Sequence, residues 1–245
     1  MPRLSGIGRL VTCAAPRGQG EIGEIERAAL VWREGRIVWA GPEASLPAEH
    51  ASEPALDVDG ALVIPGLIDA HTHLGFGGWR ADEFARRLAG ERYLDIAAAG
   101  GGIASTVRAT RALDEDALVA RAAGFLDGMV ALGVTTVEAK SGYGLDLESE
   151  LRTLRAYRRL DRAGPVRVVP TCLAAHVVPP EHGDDPEAYV RVVIDEILPA
   201  VAREGLAAFC DVFVEEGAFT PEQARRILGA GPAHGLRPKH HADKL

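Results

Sequence analysis

The stretch Ile64-Pro-Gly-Leu-Ile-Asp-Ala-His-Thr-His-Leu-Gly-Phe-Gly-Gly78 decides how the rest of this chain is interpreted. Its first part, residues 63–70, is a short apolar run of the kind that forms a parallel strand buried on both faces. The run leads into His71 and His73, and side chains two residues apart on a strand point to the same side. The two imidazoles are therefore predicted to converge just past the strand's end, as nitrogen donors for a transition metal. For a bare His-x-His motif, the alternative is a pair of surface histidines in a loop.

Composition limits the class of protein. The chain has 245 residues, 47% of them hydrophobic, which is enough to bury a substantial core. Its net charge of −8 argues against a nucleic-acid-binding surface. Cys13, Cys172 and Cys210 are too few and too scattered for a disulfide framework or a cysteine-based zinc site. Without a secretory signal or an apolar run of about 18 residues, we expect a cytoplasmic protein with no membrane partner.

Strand and helix patterns divide the sequence into two regions. Residues 1–61 contain three strand-like runs and a hairpin turn at Glu34-Gly35, which predicts a small N-terminal β region. Residues 62–245 alternate strands with helices, a pattern typical of a parallel (β/α) barrel. The predicted barrel strands are residues 63–70, 134–140, 166–173, 209–214 and 236–241.

The number of barrel strands falls short of eight. A typical (β/α)8 barrel needs about 250 residues, and the sequence from residue 62 onward supplies only about five strands of the pattern. The predicted fold class is therefore α/β, an incomplete (β/α)8 TIM-type barrel truncated after strand five, as in the N-terminal portion of a longer enzyme. Residues 76–112 show no clear strand and are predicted to form a flexible wall over the active site.

Polar side chains stand at the end of every predicted barrel strand. In a (β/α) barrel these ends share one face, where active sites are built. Any one such residue alone is better explained as a satisfied core or loop side chain, but their recurrence at five strand ends predicts an active site. The residues concerned are His71, His73, Tyr143, His176, Glu215-Glu216 and His241.

Longer motifs carry a resemblance to a known family. The chain resembles the imidazolonepropionases, hydrolases of histidine degradation in the amidohydrolase superfamily. Whereas His-x-His alone would indicate only the superfamily, the longer motifs are particular to this family. They are His71-Thr-His-Leu-x-Phe-Gly-Gly-x-Arg80 and the segments 82–91, 97–103, 105–111, 134–138, 140–145, 209–213 and 241–243.

The resemblance implies a metal and its ligands. By their matching positions, His71, His73 and His241 would bind one divalent or trivalent ion, zinc or iron. Family members add an aspartate from the last barrel strand, which this chain lacks, so the chain as given is expected to lack part of the active site. The implied reaction opens the cyclic amide of 4-imidazolone-5-propanoate to give N-formimidoyl-L-glutamate.

The resemblance also implies the substrate contacts. Arg80 would grip the substrate's carboxylate tail, because a guanidinium can donate two hydrogen bonds to it. Tyr143 and His176 match substrate-binding positions, and His176 is the expected catalytic side chain. Lys244 stands where the family usually has Gln or Glu, and His240 replaces a residue that is usually apolar.

Other interpretations stay open from sequence alone. The chain could belong to another cyclic-amide hydrolase or a deaminase of the superfamily, or it could be a non-catalytic fragment that needs a partner chain. The expected partner is the small-molecule substrate, with no nucleic acid, and a homodimer is a further expectation because open strand edges favour association.

Overall fold

Two units make up the fold, Met1–Gly66 and Leu67–Leu245, in a computed structural model that describes residues 2–14, 22–92, 95–96, 99–215 and 217–241. The N-terminal unit is a five-stranded sheet in the order β3-β2-β1-β4, with β5 also paired to β1. Strands β1, β2 and β3 are antiparallel neighbours, whereas β4 and β5 run parallel to β1. The strands are β1 Arg3–Val11, β2 Glu24–Arg33, β3 Arg36–Pro42, β4 Ala55–Asp57 and β5 Leu62–Val63.

The predicted hairpin in this unit is confirmed. Glu34 and Gly35, between β2 and β3, have φ angles of 49° and 74°. Positive φ at both central residues is the geometry whose twist matches a two-residue hairpin. The small core beside it contains Ile7, Leu10 and Ala28.

The second unit is a mixed α/β structure around a parallel sheet, as predicted. Its five strands lie in the order β10-β9-β8-β7-β6, so each strand pairs in parallel with its neighbour in sequence. Sequential parallel pairing with intervening helices is the connectivity of a (β/α) barrel. The strands are β6 Leu67–Thr72, β7 Val134–Lys140, β8 Arg167–Ala175, β9 Phe209–Val212 and β10 Arg237–Pro238.

Helices cover this sheet, and several begin at side-chain caps. Asp114 caps the start of α3 by accepting a hydrogen bond from the Ala117 amide. Thr220 and Gln223 form a capping box. The helices are α1 Ala81–Leu88, α2 Ile103–Arg111, α3 Glu115–Ala131, α4 Leu147–Ala163, α5 Pro186–Val192, a π-helical turn Val193–Ile197, α6 Leu198–Glu204 and α7 Pro221–Ala230.

Two sequence predictions for the strands are wrong. The predicted strand 63–70 is divided, because Leu62–Val63 pairs with β1 and β6 begins only at Leu67. It is also not buried on both faces, since Ile68 is 70% exposed on a strand at the edge of the described sheet. The predicted last strand, 236–241, shrinks to Arg237–Pro238 and an isolated bridge between His241 and Phe213.

The predicted wall, residues 76–112, has more regular structure than its sequence indicated. It contains α1 and α2, and Glu83 of α1 accepts a hydrogen bond from the Gly102 amide at 2.8 Å. Glu83 is buried, and the contact satisfies one of the free amides at the start of α2. Among the described residues, no helix has the length and apolar character needed to span a membrane.

Candidate metal centre

Three histidines from distant parts of the chain meet at one end of the parallel sheet. His71 is the second-last residue of β6, His73 directly follows that strand, and His241 follows β10. One ring nitrogen from each lies within 4.8 Å of the others. The Nε2 atoms of His71 and His241 are 3.0 Å apart. Three convergent imidazoles are a donor set that suits zinc, iron, copper or nickel.

The backbone fixes His241 beside β9. Its amide donates to the Val212 carbonyl, and its own carbonyl accepts from the Val214 amide, both at 2.9 Å. Its Nδ1 atom lies 2.8 Å from Oδ2 of Asp211, and both side chains are buried. The carboxylate can only accept, so Nδ1 carries a proton and Nε2 is the ring nitrogen left to face a metal. This carboxylate–histidine pair is the usual support of a metal-binding imidazole.

Asp211 in turn belongs to a buried charged cluster. Lys140 lies 2.8 Å from Asp211 and 2.7 Å from Glu138, and all three side chains are buried. Burial opposes ionisation of Asp211, but hydrogen bonds from His241 and Lys140 outweigh it and lower the pKa of the carboxyl to about 2. Asp211 is therefore a carboxylate throughout the neutral range, as an orienting acceptor for His241 must be.

Sequence analysis missed this cluster. Its remaining members are Lys239, 2.8 Å from Glu138, and Thr171, whose hydroxyl donates to Glu138 at 2.5 Å. The available signal was the placement of Glu138 and Lys140, two residues apart on a strand whose other members are uncharged. Charged residues are almost never buried unless paired, so such a pair predicts partners on neighbouring strands.

His73 occupies the inner side of the site. Its burial above all, followed by the charges of His176, His241 and His71, holds the pKa of this imidazole well below its usual range. Its Nδ1 atom is buried and has no hydrogen-bond partner among the described residues. A buried nitrogen left without a partner normally costs free energy, and a neutral imidazole is the form that binds metal. The donor set therefore fits a metal ion.

Two further predicted site residues stand beside His73. The ring of His176 stacks on that of His73, with centroids 5.0 Å apart and planes inclined by 19°. The Tyr143 ring lies 5.2 Å from His73 and 5.3 Å from His176. Nδ1 of His176 is 3.0 Å from the Gly142 carbonyl, which can only accept, so this nitrogen carries a proton.

Arg80 lines the same cavity as Tyr143. It immediately precedes α1 and lines a cavity of about 420 Å³ together with His73, Tyr143, Phe76 and other residues. A cation that lines the same cavity as His73 is suitably placed for an anionic group of a ligand bound there. Lys244, the remaining predicted contact, lies outside the described residues.

A tyrosine in the core holds the chain that follows the histidines. The Tyr157 hydroxyl accepts from the Gly75 amide at 2.7 Å and donates to the Lys140 carbonyl at 2.8 Å. A Cβ atom at Gly75 would come within 2.8 Å of that hydroxyl, so the close approach requires glycine. The turn after His73 is thereby attached to β7 through one buried side chain.

Solved structures show the class of fold. Over 99% of its length the chain resembles 5-methylcytosine deaminase from Klebsiella pneumoniae, with a TM-score of 0.66, 16% identity and 52% of that chain covered. Over 98% it resembles the ochratoxinase of A. niger, with a TM-score of 0.60, 17% identity and 55% coverage. No family model matches the sequence. The fold is that of amidohydrolase-superfamily enzymes.

Sequence relatives narrow that class. The chain is 57% identical over 215 residues to the imidazolonepropionase of Myxococcus xanthus, and this alignment covers 87% of the chain and 51% of the relative. It is 51% identical over 242 residues to the imidazolonepropionase of Acidiphilium cryptum, and this alignment covers 99% of the chain and 59% of the relative. By sequence the chain belongs with the imidazolonepropionases. It spans between half and three fifths of the length of these relatives.

Proposed function

We propose that this chain carries the metal site of an imidazolonepropionase, a hydrolase that opens the ring of 4-imidazolone-5-propanoate to give N-formimidoyl-L-glutamate. The observation that carries the proposal is the convergence of His71, His73 and His241 within 4.8 Å, with His241 oriented by a buried carboxylate. The relatives named as imidazolonepropionases supply the substrate and the reaction.

The three histidines would hold one zinc or iron ion. When bound, such an ion supplies Lewis acidity and lowers the pKa of water towards neutrality. The chain's own contribution is to bring one nitrogen of each imidazole to the same point. Asp211 orients His241 by accepting the proton of Nδ1, and burial favours the neutral form of His73.

Substrate contacts would come from the wall that Arg80, Tyr143 and His176 form around His73. The Arg80 guanidinium would pair with the propanoate tail, because two parallel hydrogen bonds match a carboxylate. The Gly142 carbonyl holds Nδ1 of His176, and the Tyr143 ring lies beside that of His176. These two rings would orient the imidazolone ring. Hydrolysis consumes one water, forms a C–O bond at the ring carbonyl carbon, breaks the adjacent C–N bond and returns a proton to the ring nitrogen.

Metal titration tests the proposal most directly. The purified chain, stripped with EDTA, is titrated with Co²⁺, and we expect one equivalent with the absorption of a nitrogen-rich site. His73→Ala should lose most of this binding because it removes one of three ligands. His234→Ala, at a histidine outside the cluster, is the matched control and should bind as the wild type does.

Turnover tests the substrate assignment separately. The metal-loaded chain is incubated with 4-imidazolone-5-propanoate, and N-formimidoyl-L-glutamate is measured by mass spectrometry. Product formed far more slowly than by a full-length imidazolonepropionase, and lost in His73→Ala, supports the proposal, because the chain spans only between half and three fifths of the length of these relatives. Hydrolysis or deamination of a different cyclic substrate, without this product, would instead assign the site to another activity of the superfamily. Unchanged cobalt binding in His73→Ala would refute the metal site itself.

A further inference from the structure

The loop of residues 141–145, which contains Tyr143, includes two residues with positive φ, one of them a leucine. Gly142 has a φ of 107°, and Leu145 has a φ of 56°, a left-handed value that is uncommon for a leucine. A Cβ atom at Gly142 would lie 2.7 Å from the Leu173 carbonyl and 3.2 Å from Nδ1 of His176. Backbone in such conformations persists only where the surroundings hold it.

Glu150, near the start of α4, supplies that hold. Its carboxylate is fully buried and accepts hydrogen bonds from three backbone amides of the loop. The Gly144 and Leu145 amides each donate to Oε1 at 2.9 Å, and the Gly142 amide lies 3.2 Å from both oxygens. A carboxylate accepts on both oxygens, so it matches a group of converging amides better than any neutral side chain does.

The loop connects Glu150 to two of the proposed substrate-binding residues, Tyr143 and His176. The Gly142 amide donates to Glu150, and the carbonyl of the same residue accepts from Nδ1 of His176 at 3.0 Å. The next residue is Tyr143, whose ring lies against both His73 and His176. One buried carboxylate is therefore linked through the backbone of Gly142 to Nδ1 of His176, and Tyr143 is the next residue along the same loop.

We propose that Glu150 is a positioning residue for Tyr143 and His176, which it orders for an imidazole-carboxylate ligand by holding the loop of residues 141–145. The inference rests on the proposed function for the identity of the ligand. Glu150 itself is not a catalytic residue, because its oxygens face backbone amides.

The electrostatics of Glu150 support a role beyond packing. Burial raises the pKa of the Glu150 carboxyl, against the lowering by its hydrogen bonds to Ser141 and the loop amides. An ionised group in this place therefore reduces stability at neutral pH, because the unfolded chain holds the charge more easily. Groups kept at such a cost in stability are characteristic of functional sites.

Glu150→Gln tests the proposal with little change in volume. Glutamine keeps one acceptor oxygen but turns an NH₂ group towards the donors, so the Gly142 amide should lose one of its two contacts and the loop one of its two acceptor atoms. Glu148→Gln, on the exposed side of the same helix, is the matched control. Three properties are measured in each variant: amide hydrogen exchange across residues 141–145, Co²⁺ affinity, and the affinity of the cobalt form for 3-(imidazol-4-yl)propanoate.

We expect exchange at Gly142 and its neighbours to accelerate by about tenfold or more in Glu150→Gln, as loss of a buried hydrogen bond implies. Affinity for the imidazole carboxylate should fall by a similar factor, whereas cobalt affinity should stay within about twofold, because no metal ligand is touched. Glu148→Gln should change none of the three.

The outcomes separate this proposal from the proposed function. Unchanged loop exchange in Glu150→Gln overturns the positioning role, and so does faster exchange with unchanged affinity for the imidazole carboxylate. Equal losses of cobalt and ligand affinity would show a general structural role and also overturn it. Failure of the wild-type chain to bind cobalt counts against the metal site instead. If Glu150→Gln does not fold, Glu150→Asp is used, which keeps the charge but withdraws it from the loop by one methylene.

Discussion

Asp211 holds the Nδ1 atom of His241 at 2.8 Å from its Oδ2 atom, with both side chains almost fully buried. This contact leaves the Nε2 atom of His241 facing Nε2 of His71. Because the tautomer of a metal-binding histidine is decided by the hydrogen bond at its other nitrogen, the carboxylate controls whether His241 can act as a ligand at all.

Asp211→Asn should weaken Co²⁺ binding by about 10–100-fold, the usual effect of losing the orienting partner of a metal-binding histidine. The amide can present its NH₂ group to Nδ1, which would favour the tautomer with its proton on Nε2. Competition titration with a chelator measures the change. The exposed Asp195→Asn is the control, and equal affinity in the two variants would show that Asp211 does not orient His241.

Stability of the metal-free chain should fall as the pH is lowered below about 6.5, the ordinary pKa of histidine. The pKa of folded His73 lies well below that value, so the unfolded state binds the proton first and gains free energy from it. His73→Gln should flatten this dependence between pH 7 and the lower folded pKa. Urea denaturation in EDTA measures it, and an equally steep dependence in the variant would argue against a neutral, buried His73.

Arg80→Ala should reduce the affinity of the cobalt form for 3-(imidazol-4-yl)propanoate by about 2–3 kcal/mol, the scale of a lost charge-assisted hydrogen bond pair. Binding of 4-methylimidazole, which has no carboxylate, should barely change. The exposed Arg87→Ala, on the same helix that follows Arg80, is the matched control. Parallel losses for both ligands would mean that Arg80 does not recognise the carboxylate.

Tyr157→Phe should lower the free energy of unfolding by about 1–3 kcal/mol, because it leaves a buried amide and a buried carbonyl without their partner. It should also weaken cobalt binding, since the Gly75 amide that it frees lies two residues from His73. Tyr189→Phe removes another buried hydroxyl, which donates to the Ala174 carbonyl, and should affect stability alone. Calorimetry and cobalt titration distinguish the two variants.

The sequence predicted the histidines of the site but not the buried carboxylates that hold the site in place. Residue type and strand position indicated His71 and His73 as metal donors, the family resemblance added His241, and the fold brings the three together. That they bind metal stays a prediction. Asp211 and Glu150 were missed because their roles depend on which atoms of distant residues face them, and no local pattern encodes that.

The shape of the strands was harder to predict than their existence. An apolar run such as residues 63–70 has the same pattern whether its strand lies at the centre or at the edge of a sheet, and only the pairing decides. The exposure of Ile68 and the diversion of Leu62–Val63 to β1 are therefore visible only in three dimensions. By contrast, β7 has the bounds predicted from sequence, since Gly133 precedes it and Gly142 follows it closely.

Helix α4 carries Glu150 and Tyr157 seven residues apart, a spacing of two turns that brings both side chains to its buried face. One of them holds the loop that presents Tyr143, and the other holds the turn that follows His73. The helix thus supports both the loop of residues 141–145 and the turn after His73. A change in how the buried face of α4 packs, at Leu154 for instance, would move ligand-binding and metal-binding groups in concert. Substitutions along this face should accordingly show strong epistasis, and both affinities could change through a single packing contact that touches neither site.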